Sequence, residues 1–155
     1  MVFLLHTLAL IFGILLLKRA YHIYQSGKES LTWKPTIAYI ISTDLGKMKN
    51  YGFIGHLVFQ TYLAIIKYNY TVDEIEYISE SYSPEGDRKF ENYFGIPGPA
   101  RAVEFLKQYP DNAKITVYYS SEHHEEAVIK PGVRLVAFLP QMMIGVGLIL
   151  ACFIF

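Results

Sequence analysis

Residues 1–17, MVFLLHTLALIFGILLL, and residues 133–155, VRLVAFLPQMMIGVGLILACFIF, decide how this chain is organised. Neither stretch holds an acidic residue, and the strongly polar sequence lies between them. A helix rises about 1.5 Å per residue, so the first reaches roughly 25 Å and the second roughly 35 Å, against a hydrocarbon core about 30 Å thick. The first run stops abruptly at Lys18 and Arg19, with Tyr21, His22 and Tyr24 beyond. A secretory signal peptide puts its positive charge before the apolar segment and small residues at a cleavage site. Here the charge follows, and aromatic residues of the kind that settle at headgroup level come next. We expect a retained membrane helix over 1–20, a soluble domain over 31–132 and a second membrane helix over 133–155.

Lys18, Arg19, Lys28, Lys130 and Arg134 all flank the membrane segments on the domain side. The positive-inside bias therefore predicts a two-pass integral membrane protein with the domain cytoplasmic and both termini outside. His6 lies close enough to the chain start to reach the interface. Gly13, Gly145 and Gly147 permit close helix contact, and Pro140 marks a kink. Over the whole chain Lys+Arg and Asp+Glu are equal at 14 each, so the formal net charge is zero. Nucleic-acid binding requires clustered positive charge, which this balance does not supply. The implied partners are a lipid bilayer and a membrane protein. A lone cysteine, Cys152, closes no internal disulfide.

Between the two ends, 26–30 reads as a polar hinge. Residues 35–42 read as a strand rich in Ile, Tyr and Thr, and 43–56 as a glycine-bearing loop. Alternation over 63–72, with Ile66, Tyr68, Tyr70 and Val72 on one face, gives the clearest strand. Asp73-Glu74 connects it to a partner over 75–83, forming a hairpin. Residues 83–99 form a long loop with apolar Phe90, Tyr93, Phe94 and Ile96. Pro99 opens a helix in which Ala102, Phe105, Leu106 and Tyr109 recur at helical spacing, and Pro110 stops it. Strands follow over 114–119 and 127–130. These elements predict an α+β membrane protein: two transmembrane helices flanking a small antiparallel β-sheet or partly open barrel with one covering helix.

A family resemblance rests on the order of several short motifs. They are Trp33-Lys34-Pro35-Thr36, then Tyr68-Asn69-Tyr70-Thr71-Val72-Asp73 with Tyr77, then Ala102 through Tyr109-Pro110. Lys114-Ile115-Thr116-Val117-Tyr118-Tyr119 and Ala127-Val128-Ile129-Lys130-Pro131-Gly132 complete the set. The chain resembles the DUF3592 family of small membrane proteins over about 31–132 with both flanking helices. Lys34 separates the family's Trp-Pro pair, Glu74 stands where the hairpin glycine is usual, and Ser120-Ser121 replaces Asp-Pro. The resemblance implies an architecture and a membrane location, with no catalytic residue and no cofactor.

Glu122-His123-His124-Glu125-Glu126 is the one dense run of ligand-type residues, and imidazoles with carboxylates suit zinc or another divalent metal. Neighbouring side chains in an extended chain point to opposite faces, so His123 and His124 are expected to diverge in a solvated loop. Nucleophilic chemistry has no support: Cys152 lies in an apolar helix, and Ser79, Ser81 and Ser83 lack a nucleophile-elbow pattern. Gly95-Ile96-Pro97-Gly98-Pro99 is too proline-rich to cradle phosphate, because proline removes the N–H groups such a loop uses. The expected function is a non-enzymatic membrane-tethered domain, a protein-interaction or accessory module of a membrane assembly. Phe90, Tyr93 and Phe94 are its expected partner surface, together with the loop 51–59. The alternative is a metal-binding sensor or metal-dependent enzyme using His123 and His124.

Overall fold

The computed structural model describes residues 2–51, 58–86, 88–90 and 98–154. The chain divides into two compact units, one of 1–31 with 132–155 and one of 32–131. The first holds α1 (Val2–Glu29), which passes through a 3₁₀ turn (Ser30–Thr32), and α3 (Leu135–Ile154). The second holds β1 (Lys34–Tyr51), β2 (Val58–Val72), β3 (Ile75–Ser79), β4 (Arg88–Phe90), α2 (Gly98–Leu106), β5 (Lys114–Tyr119) and β6 (Ala127–Val128). The α+β class, the terminal helices and the antiparallel sheet are therefore as the sequence reads.

The helical unit is an antiparallel pair built on small residues. Gly13, Ala20 and Gly27 are the buried positions of α1 between its first apolar turn and Gly27, one every seven residues. A Cβ on Gly13 would stand 3.0 Å from the Gly145 carbonyl oxygen, and one on Gly27 only 2.8 Å from the Val133 Cα. Both glycines are needed because the two backbones approach too closely for a side chain. Gly147 meets nothing within 4 Å. The sequence-based hinge at 26–30 is overturned: α1 runs on through Gly27 to Glu29. Pro140 lies inside α3. Its missing N–H leaves the Val136 carbonyl without its usual helical donor, while the Gln141 side-chain amide donates to the next carbonyl, that of Ala137, at 3.1 Å. Both helices are long and apolar enough to cross a membrane.

The sheet has the order β3-β2-β1-β5-β6, with β4 also on β2. Every described pairing is antiparallel. Loop-like 43–56 is the second correction. Residues 43–51 continue β1, pairing through Tyr51↔Val58, and β2 begins at Val58, well before 63. Residues 52–57 lie outside the described set. A bulge between Ile40 and Ser42 inserts Ile41 and interrupts the alternation of faces, leaving Ile41 and Ser42 both exposed. β4, three residues within the expected long loop, is a strand the sequence did not announce. It follows β3 along the same edge of β2, with 80–86 as an excursion after β3. The last strand is shorter than 127–130. Ile129 and Lys130 instead donate to the Ser81 and Tyr82 carbonyls, drawing the two edges of the open sheet together.

Ala38, Ile40, Ile66, Tyr68, Tyr70, Val72, Tyr82, Val117 and Ala127 fill the core on one face of the sheet. Phe105 and Leu106 of α2 close over it, and Ala102 with Ala64 and Phe90 extends it along the β1–β2 arm. Asp73 and Glu74 both adopt positive φ, 49° and 68°. That is the geometry of a two-residue primed hairpin turn, achieved here without glycine.

Candidate functional site

Alternation along a strand sends successive side chains to opposite faces. Ala38 and Ile40 go to the core, so Ile37 and Tyr39 go to the other face, and the bulged Ile41 joins them. Tyr39 pairs with Asn69, Asn69 with Ile78, and Tyr39 with Lys114 on the opposite side. One row across the open face therefore reads Lys114, Tyr39, Asn69, Ile78. Its large apolar members remain well exposed: Ile37 48%, Tyr39 52%, Ile41 43% and Ile78 58%. An antiparallel sheet with one solvated face ordinarily presents polar residues there. Two of the polar groups on this face are engaged with acidic neighbours. Asn69 donates to Glu76 Oε1 at 2.6 Å, and Lys67 lies 3.6 Å from Glu80.

A tyrosine cluster organises the opposite face. The Tyr68 hydroxyl lies 2.9 Å from the Ser81 carbonyl oxygen and 2.8 Å from that of Ala127, its single proton serving one at a time. Tyr70 donates to the His124 carbonyl at 2.6 Å and stacks on Tyr77 at 5.7 Å. The His124 ring stands edge-on between Tyr77, at 6.3 Å, and Tyr119, at 5.6 Å. Burial raises the Tyr68 hydroxyl well above its ordinary range and pushes Tyr70 up to about 12, with the nearby Glu125 carboxylate adding to it.

His124 is thus a peg in an aromatic slot, while its neighbour His123 is exposed, with Nδ1 4.0 Å from Glu125 Oε1. The two imidazoles do not converge. Among the described residues no three His, Cys, Asp or Glu side chains gather to hold a metal ion. His22 is exposed on α1, in the other unit, and His56 lies outside the described residues. Cys152 contacts the His6 carbonyl at 3.4 Å within the helical pair.

The expected partner surface fares differently at each residue. Phe90 is only 7% exposed, enclosed with Ala64 and Ala102, its ring tilted against that of Phe105 at 5.4 Å between centroids. The guanidinium carbons of Arg88 and Arg101 each lie 5.8 Å from its ring centre. Phe90 is therefore core, because β4 pairs its backbone to β2 and turns its ring beneath α2. Tyr93 and Phe94 lie outside the described residues, as does most of the loop 51–59. Exposed apolar residues gather instead on the open face at Ile37, Tyr39, Ile41 and Ile78, with Ile75 and Val103 exposed elsewhere in the same unit. Their signal was present in the run Ile37-Ala38-Tyr39-Ile40-Ile41, which is apolar on both faces where a half-solvated strand would alternate.

The profile of DUF3592, a domain of unknown function, matches residues 36–134. The chain belongs to the DUF3592 family. The match runs from the second residue pair of β1 to the threshold of α3, so it takes in all of the sheet but Lys34 and Pro35, together with α2. No curated protein matches the chain.

Proposed function

We propose that this DUF3592 protein is a non-enzymatic, membrane-tethered interaction module, with its sheet domain held on the cytoplasmic side by α1 and α3. The observation that carries the reading is the open face of the sheet. One face is filled by α2, and the other keeps Ile37, Tyr39, Ile41 and Ile78 in solvent. Desolvating such side chains is favourable at roughly 25 cal/mol per Å². Tethering at both ends raises the local concentration of a membrane-embedded partner, so modest affinity suffices. The positive residues flanking both helices support the cytoplasmic side. The aromatic seat of His124 gives no support to the metal-dependent alternative.

The test is site-specific photo-crosslinking in native membranes with full-length protein. A photoreactive residue at position 39 or 78 is expected to give the same discrete adduct with another membrane protein. One at Lys107, exposed in the turn that follows α2, is expected to give none. No adduct at 39 and 78, or adducts made only of two copies of this chain, would overturn the reading.

A further inference from the structure

The two membrane helices place their polar boundaries at different depths. Four contacts fix the antiparallel register: His6 with Cys152, Gly13 with Gly145, Tyr24 with Phe138, and Gly27 with Val133. In that register Lys18 lies about level with Met142. The apolar part of α1 ends at Leu17, whereas α3 is apolar from Leu135 onward. The step between the boundaries is about eight residues, or roughly 12 Å along the helix. The stretch in which both helices are apolar is about twelve residues, roughly 18 Å, well short of the ~30 Å hydrocarbon core.

Ordinary tilting does not remove this step. Helix axes in contact are about 8 Å apart, so levelling a step of roughly 12 Å takes a rigid tilt of about 56°, beyond the roughly 0–40° that membrane helices adopt. Snorkelling meets an obstacle of its own. Helical side chains lean toward the N-terminus, which for Lys18 and Arg19 is away from the domain-side headgroups. Both residues are exposed, as is His22 one turn on, while Ala20 between them is buried. The cations therefore occupy the outer surface of the pair, not its seam. Lys18, Arg19, Lys28 and Arg134 face a single acid, Glu29, in this unit.

We propose that Lys18 and Arg19, with the exposed surface of α1 around them, form a binding site for an anionic phospholipid of the domain-side leaflet. Its phosphodiester descends beside α1 to meet the two cations, and the leaflet is locally thinned there. The exposed Leu15 and Ile14, nearer the N-terminus, receive the acyl chains. A net positive surface favours an anionic headgroup over a zwitterionic one. The inference rests on the membrane reading of α1 and α3.

The experiment reconstitutes the full-length chain in phosphatidylcholine bilayers holding a minor share of phosphatidylglycerol. The protein is then extracted in mild detergent, and retained lipid is quantified by mass spectrometry. Phosphatidylglycerol is expected to be enriched over its bulk share, with enrichment falling about fivefold for each cation removed in Lys18→Gln and Arg19→Gln. The charge-conserving pair Lys18→Arg with Arg19→Lys is expected to keep the enrichment, as is Lys107→Gln in the turn after α2. Retained lipid at bulk composition, or undiminished enrichment in the double Gln variant, overturns the site. Release of the wild-type chain by an alkaline carbonate wash overturns the membrane reading itself, so the two failures are distinguishable.

Discussion

At the scale of single residues, Tyr70 ties the sheet to the 120–126 loop. Its hydroxyl donates to the His124 carbonyl while its ring stacks on Tyr77. Tyr70→Phe removes one partly buried hydrogen bond and is expected to lower stability by about 1 kcal/mol, measured by denaturant titration of the full chain in detergent. Burial favours the neutral phenol in the fold, so the folded pKa of about 12 stands above the ordinary value of 10.0. Tyr109 is likewise raised by burial to about 12, with Tyr82 beside it adding to the shift. The stabilisation from these groups is complete below pH 10 and is lost as pH rises from about 10 to 12. An alkaline titration that follows tyrosinate absorbance and unfolding together should show that loss. The midpoint should shift less in Tyr70→Phe than in wild type.

At the scale of elements, Gly27 shows why some of this fold was legible and some was not. The primed turn at Asp73-Glu74, the helix start near Pro99 and the strand Lys114–Tyr119 follow from local chemistry, and the sequence places them within a residue or two. Ser26-Gly27 looks like a break when only polarity and propensity are weighed. The glycine is there because Val133 passes against it, a tertiary demand invisible along the chain. The same holds for β1 beyond Ser42. Asp44, Gly46 and Lys47 read as loop residues, yet their backbone is paired residue for residue with β2. β4 is too short to generate a periodic signal, and its burial of Phe90 inverted the expected surface. Gly27→Val forces a side chain into a 2.8 Å approach. It is expected to destabilise the helix pair by roughly 1–3 kcal/mol, read as a lower thermal aggregation temperature in detergent. Gly147→Val, at a position that meets nothing, should leave that temperature unchanged.

At the scale of the whole molecule, the basic residues flanking α1 and α3 predict one orientation. In sealed vesicles with the cytoplasmic side inward, added protease is expected to spare the domain of 32–131, and detergent permeabilisation to expose it to cleavage. Digestion in intact vesicles would place it on the opposite side. Entry to and exit from that domain are joined by a single side chain. The Ser30 hydroxyl donates to the Gly27 carbonyl at 2.8 Å and accepts the Gly132 N–H at 2.8 Å, bringing two residues 102 positions apart into one clasp. Topologically, the intervening polypeptide is then a cassette inserted into a helical hairpin. Replacing 32–131 by a short turn is expected to leave the helical hairpin intact, and Ser30→Ala to loosen its closure, read as a lower thermal aggregation temperature in detergent.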